Sequence, residues 1–329
     1  MPIETPADLR GIINAFQESR AVLSAYELDL FTALGDGPRT AAEVAAARAA
    51  DPRAVDRLLN VLVAMGLVEK AGGRYANGPF AARYLVRGRP EFMSGLMHSV
   101  HMWTRWSTLT EAVRRGTAVA ARDGRTDEWR EAFMAAMHWR GVPQAAALPR
   151  TLDPGGVARV LDVAGGTGVF SMAFARARAD LEAVVFDLAA IVPITRRYVA
   201  EAGLSDRVTA VPGDVTTDDL PSGFDLVLLI AILHSFPPDM NRRLVAKAAA
   251  ALRPGGRVVV QEFLVNEDRT GPLQPALFAL NMLVGTEGGD TYTEGEIRGW
   301  MEAAGLTAVT RMDTAFGTSI VVGRKKIAD

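Results

Sequence analysis

The 329-residue sequence contains no cysteine. Disulfide bonds and thiolate metal sites are therefore excluded, and the composition suits the cytosol, where we expect the protein to reside. Long apolar runs are also missing. The most apolar stretch, Leu226 to Leu233, is far too short to span a bilayer. The first residues lack a basic stretch followed by an apolar one, so we expect neither a signal peptide nor a membrane partner.

A large excess of charge of either sign is missing as well. The 36 basic and 38 acidic residues give a formal net charge of −2 at pH 7. Such a balance provides no electrostatic attraction for nucleic acid, and we expect no nucleic-acid partner. Hydrophobic residues make up 49% of the chain, which indicates a folded protein, and the length allows two domains.

The first hundred residues combine helical periodicity with one hairpin. Thr40 and Glu43 form a capping box, and Asp51-Pro52 marks a second helix start. The segment Leu67 to Ala76, with Gly72-Gly73 at its centre, predicts a short β-hairpin. Helices followed by a hairpin are typical of a winged helix. We therefore predict a mostly helical winged-helix domain over residues 1–100.

Some winged helices bind DNA, so a ligand-sensing regulator is an alternative. The candidate recognition helix, Asp51 to Gly66, offers only Arg53 and Arg57, which stand beside Asp51 and Asp56. A nearly neutral helix is a poor match for a phosphate backbone. A dimerisation module is the favoured interpretation.

Four of the five tryptophans lie between residues 101 and 150, which we predict to be a helical bridge. Aromatic residues and methionine at helical spacing are most often core residues, but this concentration also favours a pocket wall. The candidates for a small-molecule pocket are Trp103, Trp106 and Met137. His98 and His101 are spaced to share a metal ion, but no further ligand completes a set, so no metal site is predicted.

From residue 151 onward the pattern changes to strands that alternate with helices. Five short apolar runs fit strands, at Val160–Val163, Ala183–Phe186, Val208–Val211, Leu226–Ile230 and Arg257–Phe263. This alternation predicts an α/β domain with a doubly wound parallel sheet over residues 151–329. A final hairpin is expected between Thr307 and Arg324. Ligands of such sheets bind beyond the carboxyl ends of the strands.

A glycine-rich turn follows the first strand of this sheet. The run Asp162-Val-Ala-Gly-Gly-Thr-Gly168 ends a buried strand and opens a helix, and glycine allows a ligand to approach the backbone closely. Asp187 ends the second strand, 25 residues after Asp162, where a carboxylate can accept ribose hydroxyls. After the third strand, Asp214 could accept from an adenine amino group. Together these residues predict a nucleotide-like ligand.

NAD is one candidate for that ligand. Its binding turn, G-x-G-x-x-G, needs a third glycine, but Ser171 stands at that place. Instead, an acid is followed by small residues at alternate positions, at Asp162, Ala164, Gly166 and Gly168. This pattern resembles the first motif of class I S-adenosylmethionine-dependent methyltransferases.

The resemblance narrows when later motifs are added. These motifs are the glycine turn, Phe186-Asp187-Leu188, Gly213-Asp214, Leu233-His234, and Arg253-Pro-Gly-Gly256 with Glu262. With them the chain resembles the small-molecule O-methyltransferase family, which includes caffeate, acetylserotonin and bacterial natural-product enzymes. The similarity implies a Rossmann-like methyltransferase sheet and a homodimer formed through the N-terminal domain. It also implies a cofactor, S-adenosyl-L-methionine, held by Asp162, Gly166, Asp187, Leu188, Gly213, Asp214 and Val215.

The same resemblance makes His234 the general base and Glu262 the acid that orients it. A phenol, with a pKa of about 10, is mostly protonated at neutral pH, and histidine can take its proton during attack. Met282 lies in a helix that is expected to cover the acceptor. We therefore expect an enzyme of secondary metabolism that methylates a hydroxyl of a small, aromatic acceptor.

The sequence departs from many relatives around the predicted base. Ser235-Phe236 replaces Asp-Trp, Thr291 stands where a second acid flanks the histidine, and Ile230 replaces a lysine. Carbon or nitrogen methylation, or a role in which the cofactor transfers no methyl group, therefore stays an alternative within the same fold.

Overall fold

The computed structural model describes residues 3–119 and 126–327 of the chain. Residues 120–125 of the predicted bridge therefore lie outside the described part. The chain divides into two compact units, the first formed by Met1–Trp103 with Asp127–Ala136 and the second by Thr104–Thr126 with Met137–Asp329. No helix among the described residues is both long and apolar enough to cross a membrane.

The first unit is mostly helical and carries one two-stranded sheet. Its elements up to residue 84 are α1 (Pro6–Asn14), α2 (Phe16–Glu27), α3 (Leu30–Ala33), α4 (Ala41–Ala47), α5 (Pro52–Ala64), β1 (Val68–Ala71), β2 (Arg74–Asn77) and α6 (Pro79–Tyr84). Strands β1 and β2 pair antiparallel around Gly72 and Gly73, which both have positive φ angles. The predicted hairpin is confirmed, and its turn needs glycine for that reason.

Local capping signals position the helices of this unit. Thr40 Oγ1 accepts a hydrogen bond from the Glu43 N–H, and the Glu43 carboxylate accepts the Thr40 N–H in return. Asp51 Oδ1 accepts the Ala54 N–H at the start of α5. Both predicted helix starts are confirmed. The helices then bury a core that includes Leu30, Phe31, Leu59, Leu62 and Tyr75.

The remaining elements described are eight helices, the seven strands of a large sheet and two short strands that pair with each other. The helices are α7 (Leu96–Trp106), α8 (Leu109–Arg115), α9 (Asp127–Leu152), α10 (Val169–Ala177), α11 (Val192–Glu201), α12 (Pro238–Ala251), α13 (Leu273–Gly285) and α14 (Glu294–Ala303). The strands are β3 (Arg159–Val163), β4 (Glu182–Asp187), β5 (Val208–Pro212), β6 (Phe224–Ile230), β7 (Leu252–Glu262), β8 (Leu264–Val265), β9 (Tyr292–Thr293), β10 (Leu306–Asp313) and β11 (Ser319–Lys325).

The large sheet has the strand order β10-β11-β7-β6-β3-β4-β5. Strands β7, β6, β3, β4 and β5 are parallel, while β11 and β10 close one edge as an antiparallel hairpin. From β3 the chain adds β4 and β5 on one side and then returns to add β6 on the other. This reversal is a topological switch point, where ligands of doubly wound sheets bind. The predicted sheet and closing hairpin are confirmed.

Both faces of the sheet are buried at its central strands, which explains the continuous apolar runs of these strands. Successive residues of β6 point to opposite faces: Val227 joins a core with α12 and α14, and Leu228 joins a core with α9 and α10. The four central parallel strands, β7, β6, β3 and β4, each contribute side chains to both cores. The sheet is therefore a rigid platform for the loops that follow its carboxyl ends.

Candidate active site

The glycine turn between β3 and α10 departs from ordinary backbone geometry. Ala164, Gly166 and Gly168 have φ angles of 54°, 58° and 74°, in the left-handed region. A Cβ on Gly168 would also lie 3.2 Å from Val185 Cγ2 on β4. Glycine at position 168 therefore suits both the left-handed backbone and the close packing of the turn against the next strand.

Asp162 lies beneath this turn and is almost fully buried. Ser171 Oγ donates a hydrogen bond to Asp162 Oδ2 over 2.9 Å, while Asp162 Oδ1 has no hydrogen-bond partner among the described residues. Burial raises the pKa of Asp162 to about 6. Ser171 stands where a dinucleotide-binding fold has its third glycine. In this structure the serine at that position has a role, because its hydroxyl is the hydrogen-bond partner of the buried Asp162 carboxyl group.

Asp187 connects β4 to the same turn. Its Oδ2 accepts the Gly166 N–H over 2.8 Å, and its Oδ1 accepts the Leu188 N–H over 2.7 Å. The pKa of Asp187 is raised, mainly because its carboxyl group is buried. Beyond it, Leu188 is 49% exposed. A hydrogen-bond acceptor such as Asp187, next to an exposed apolar side chain such as Leu188, suits a ligand that combines a sugar with a nucleobase.

The segment after β5 completes this edge of the sheet. The Gly213 N–H donates to the Asp187 carbonyl over 2.9 Å, and a Cβ on Gly213 would lie 2.1 Å from Phe186 Cζ. Asp214 Oδ1 accepts the Thr216 N–H over 2.8 Å and the Thr216 hydroxyl over 2.6 Å, which leaves Oδ2 for further donors. The structure thus brings the seven predicted cofactor residues to three adjacent strand ends, although their contacts with a cofactor remain predictions.

His138 on α9 is a neighbour of the glycine turn that the sequence did not reveal. Its Nδ1 lies 2.9 Å from Thr167 Oγ1, and its ring lies 4.4 Å from the Tyr198 ring between centroids. Burial lowers the pKa of His138, which favours the neutral form of its ring. The contact joins residues 29 apart along the chain, and no local pattern reports such a pair.

The predicted base lies beyond the neighbouring strands β6 and β7. After β6 the chain bends at Ala231, with a φ angle of 53°, and enters a short 3-10 turn at Leu233–Ser235. His234 Nδ1 lies 2.8 Å from Glu262 Oε2, and the His234 N–H donates to Glu262 Oε1 over 3.3 Å. Glu262 ends β7 and is 3% exposed. The structure therefore brings the two predicted catalytic residues together.

This contact determines which ring nitrogen of His234 is available. A carboxylate at Nδ1 favours the tautomer with the proton on Nδ1, which leaves the Nε2 lone pair free to accept a proton. In the described part of the chain, Nε2 has no hydrogen-bond partner. The ring also packs edge-on against Phe278 of α13, with centroids 4.8 Å apart. The imidazole is thus fixed in position with its basic nitrogen available.

The loop between α13 and β9 packs on the backbone of His234. The Asp290 N–H donates to the His234 carbonyl over 3.0 Å, and a Cβ on Gly289 would lie 2.3 Å from the same oxygen. The Asp290 side chain is ion-paired with Arg269. Thr291 is 1% exposed, and its hydroxyl has no hydrogen-bond partner in the described residues. Glu262 is therefore the carboxylate that contacts His234.

Trp106, one of the predicted pocket residues, contacts α13, the helix that carries another of them, Met282. The Trp106 indole N–H donates to Asn281 Oδ1 over 3.0 Å, and the neighbouring Met282 is 7% exposed. Phe278 lies about one turn before them on the same helix. Met137 belongs to α9, and Trp103 of the first unit packs against Phe16 at 6.1 Å between centroids. Asn281 and Phe278 were missed because neither residue type indicates a pocket by itself.

Acidic and histidine side chains do not gather into a metal centre in the part of the chain that the structure describes. In residues 3–119 and 126–327, no group of three or more histidine, aspartate or glutamate side chains is arranged to hold a metal ion.

The sequence matches two family models. The O-methyltransferase domain matches residues 106–307, and the O-methyltransferase dimerisation domain matches residues 11–87. Among curated proteins, the 3-hydroxy-5-methyl-1-naphthoate 3-O-methyltransferase of Streptomyces sahachiroi is 33% identical, with 97% of this chain and 95% of that protein covered. The tetracenomycin polyketide synthesis 8-O-methyl transferase TcmO of Streptomyces glaucescens is 31% identical over 98% of both chains.

A third relative carries a different activity in its name. The N,N-dimethyltransferase OxyT of Streptomyces rimosus is 32% identical over 98% of both chains. Among solved structures, PigF with SAH has a TM-score of 0.89 at 27% identity and covers 98% of this chain and 100% of that chain. Human N-acetylserotonin methyltransferase in complex with SAM has a TM-score of 0.85 at 26% identity over 99% of both chains.

Proposed function

The chain belongs to the O-methyltransferase family, and from that premise we propose that it methylates a hydroxyl group of a small, aromatic metabolite with His234 as the general base. It is an S-adenosylmethionine-dependent methyltransferase. The observation that carries the proposal is the contact of 2.8 Å between His234 Nδ1 and the buried carboxylate of Glu262. No other histidine in the described residues has this arrangement at a strand end.

The residues at the carboxyl edge of β3, β4 and β5 fit the cofactor. Asp187 and Asp214 offer oxygen acceptors, Leu188 an exposed apolar surface, and Gly166 a backbone without a side chain. The unpartnered Oδ1 of Asp162 adds a buried anionic site beneath a cationic ligand. When bound, S-adenosylmethionine supplies an already activated methyl group, so the protein has mainly to position and deprotonate the acceptor.

His234 and Glu262 perform the deprotonation in this proposal. The Nε2 lone pair of His234 takes the proton of the acceptor hydroxyl, while Glu262 holds the ring through Nδ1 and stabilises the imidazolium that forms. Both oxygens of Glu262 contact His234, through the ring and through the backbone N–H. Rotation of the Glu262 side chain would therefore break both hydrogen bonds.

The acceptor is proposed to be aromatic because the surroundings of the base are apolar and flat. Phe278 lies edge-on to His234, and Phe263 lies 4.8 Å from Phe278 between centroids. Farther along α13 lie Met282 and Asn281, which accepts the indole N–H of Trp106. Aromatic side chains bind planar rings by edge and stacking contacts. Two relatives whose names specify naphthoate and tetracenomycin hydroxyl methylation agree with an acceptor of this class.

Nitrogen methylation is the second candidate, favoured by the similarity to OxyT. Thr291 is neutral where many relatives have a second acid, so Glu262 is the carboxylate that supports the imidazolium. A neutral amine attacks through its lone pair and needs less help from a base. Carbon methylation of an activated ring belongs to the same alternative. Turnover of phenols against matched anilines separates these activities.

A homodimer formed through the N-terminal domain is part of the proposal. Helix α1 buries none of its own residues, and Leu9, Ile12, Ile13 and Phe16 are all at least 46% exposed. Four large apolar side chains on one short segment are typical of a surface that a second copy covers. Residues 1–100 would dimerise, 101–150 contribute to the acceptor pocket, and 151–329 bind the cofactor, in a protein of the cytosol.

The experiment has two stages. Calorimetry with S-adenosylmethionine measures cofactor binding, and mass spectrometry then measures methyl transfer to a panel of phenols, hydroxynaphthoates and matched anilines. We expect cofactor binding with turnover confined to hydroxyl acceptors and lost in His234→Ala. Transfer to anilines that persists in His234→Ala would contradict hydroxyl methylation by this base.

A further inference from the structure

The turn that carries His234 is held by few hydrogen bonds of its own backbone. It ends where the Phe236 N–H donates to the Leu233 carbonyl over 3.1 Å. The next two residues, Pro237 and Pro238, have no N–H and cannot add another such bond. Further support for this turn therefore has to come from other parts of the chain.

Asn241, the fourth residue of α12, provides part of this support. Its Nδ2 donates to the Leu233 carbonyl over 2.9 Å and to the Phe236 carbonyl over 3.1 Å. These carbonyls lie on either side of His234 in the chain, and an amide nitrogen has two hydrogens, one for each of them. The opposite orientation of the amide would place its oxygen against both carbonyl oxygens. Asn241 is fully buried, so solvent cannot make these bonds in its place.

The segment around β9 holds the same turn from another direction. The Tyr292 hydroxyl donates to the Phe236 carbonyl, and the Asp290 N–H donates to the His234 carbonyl over 3.0 Å. Glu262 of β7 contacts the His234 ring through Nδ1. The backbone of the base is therefore held by α12 and the segment around β9, and its ring is held by β7.

This division of contacts determines where the reactive nitrogen of His234 points. Glu262 holds Nδ1, while Nε2 lies on the far side of the imidazole ring. If the backbone at His234 moves, the ring turns about the Glu262 contact and Nε2 is displaced. A displacement of about 1 Å can lower a rate by about 10²-fold. Precise placement of Nε2 therefore needs a fixed backbone as well as the carboxylate.

From these contacts we propose that Asn241 is a positioning residue, which directs His234 Nε2 at the acceptor hydroxyl by holding the carbonyls on both sides of the base. The proposal rests on the proposed function, in which His234 takes the proton of that hydroxyl. Asn241 acts through His234, since its amide hydrogens are bonded to the backbone of the turn.

The first test replaces the amide with side chains that cannot donate. Asn241→Leu nearly keeps the volume, and Asn241→Ala is a second variant in case leucine does not fit. In the control, Asn77→Leu, a bond of the same kind is lost in the first unit, where Asn77 Nδ2 donates to the Phe31 carbonyl over 2.8 Å. We expect both Asn241 variants to lower kcat by about 10- to 100-fold and to bind S-adenosylmethionine within about 2-fold of wild type. The control should keep both values, and an unchanged kcat in the Asn241 variants would overturn the proposal.

A second test separates positioning from general support of the fold. If Asn241 acts through the base, Asn241→Leu should change the residual kcat of His234→Asn by less than about 2-fold, because the group that it positions is already gone. An equal fold loss of kcat in the wild-type and His234→Asn backgrounds would overturn the proposal.

Nitrogen NMR of the histidine rings gives a readout that needs no turnover. The chain has four histidines, and the signals of His234 are identified by their absence in His234→Asn. We expect one tautomer of His234 in wild type, with the proton on Nδ1, and a mixture of both in Asn241→Leu and Asn241→Ala. An unchanged tautomer in both variants would overturn the proposal. A wild-type kcat in His234→Asn would instead count against the proposed function, and the NMR result would still decide whether Asn241 orients the ring.

Discussion

The carboxyl group of Asp162 occupies the space that a side chain on Gly165 would need. A Cβ built on Gly165 would lie 2.5 Å from Asp162 Cγ, which is closer than real contacts allow. The buried acid and the glycine above it therefore depend on each other. We expect Gly165→Ala to displace the carboxyl group, lower stability by about 1–3 kcal/mol and weaken cofactor binding.

Gly299→Ala is the matched control for that substitution. Gly299 lies within α14, and a Cβ there would meet no atom within 4 Å. Alanine is the better helix former, so this variant should gain about 0.5–1 kcal/mol of stability and bind the cofactor normally. Urea unfolding and calorimetry measure both variants. A Gly165→Ala protein as stable as wild type would show that the turn can relax around Asp162.

Asp162 also predicts a specific pH dependence of stability. Its pKa is raised from 3.8 to about 6 in the folded protein, because burial disfavours the charged form. A folded-state pKa above the unfolded value contributes stability that is fully present below about pH 3.8 and is lost as the pH rises to about 6. The expected loss is on the order of 3 kcal/mol, at about 1.4 kcal/mol per pKa unit.

Asp162→Asn removes this titration and keeps the shape of the side chain. The free energies of unfolding of both proteins, measured in urea at about pH 4 and about pH 7.5, give the contribution of Asp162 by subtraction. Relative to wild type, Asp162→Asn should gain stability as the pH rises. A difference between the two proteins that does not change with pH would contradict a raised pKa at this position.

The hydrogen bond between His138 and Thr167 should contribute to cofactor affinity by holding the glycine turn. We expect His138→Ala and Thr167→Val each to weaken S-adenosylmethionine by about 3- to 10-fold, since a net hydrogen bond contributes about 0.5–1.5 kcal/mol. The double variant should lose little more than either single variant, because both remove the same interaction. Fully additive losses in calorimetry would show that the two side chains act separately.

The exposed apolar face of α1 gives a test of the dimer. Ile12 and Ile13 are 60% and 57% exposed, so glutamate at both positions should leave the fold of one chain intact while opposing association. Sedimentation velocity should show a dimer for wild type and for the control Arg10→Glu, and a monomer for Ile12→Glu/Ile13→Glu. A dimer that persists in the double variant would place the interface elsewhere.

Much of the fold can be predicted from the spacing of apolar residues and from the residues that begin and end helices and turns. The strands β3 to β7 are continuous apolar runs because both faces of a parallel sheet are buried. Thr40 with Glu43 and Asp51 with Pro52 fix helix starts through contacts within three residues. Local rules of this kind depend only on neighbours along the chain, so the order of the residues is enough to apply them.

The candidate site was predictable where family motifs mark strand ends. Asp187 and His234 each follow a predicted strand and Glu262 lies near the end of another, and parallel strands bring their carboxyl ends to one edge. His138 was not predicted, because it reaches that edge on α9, a helix that contacts β7 through Gln144 with Gln261 and through the Leu152 carbonyl with Arg257. Contacts between residues so far apart in sequence leave no local pattern.

The role of Ser171 shows how a departure can be informative. In the sequence, Ser171 indicated only that the third glycine of an NAD-binding turn is absent, and therefore that the ligand is not NAD. In the structure, its hydroxyl donates to Asp162 over 2.9 Å and accounts for the polar residue at a fully buried position. The sequence could not supply this reason, because the partner lies on the strand that precedes the turn.

The turnover of His234→Asn with a hydroxyl acceptor is the most direct test of the account. Asparagine retains a polar side chain but cannot accept the proton as a base, so kcat should fall by about 10²- to 10⁴-fold. The affinity for S-adenosylmethionine should stay within about 2-fold of wild type, since His234 is not among the residues proposed to hold the cofactor. A variant that binds the cofactor normally and keeps most of the wild-type kcat would contradict His234 as the base.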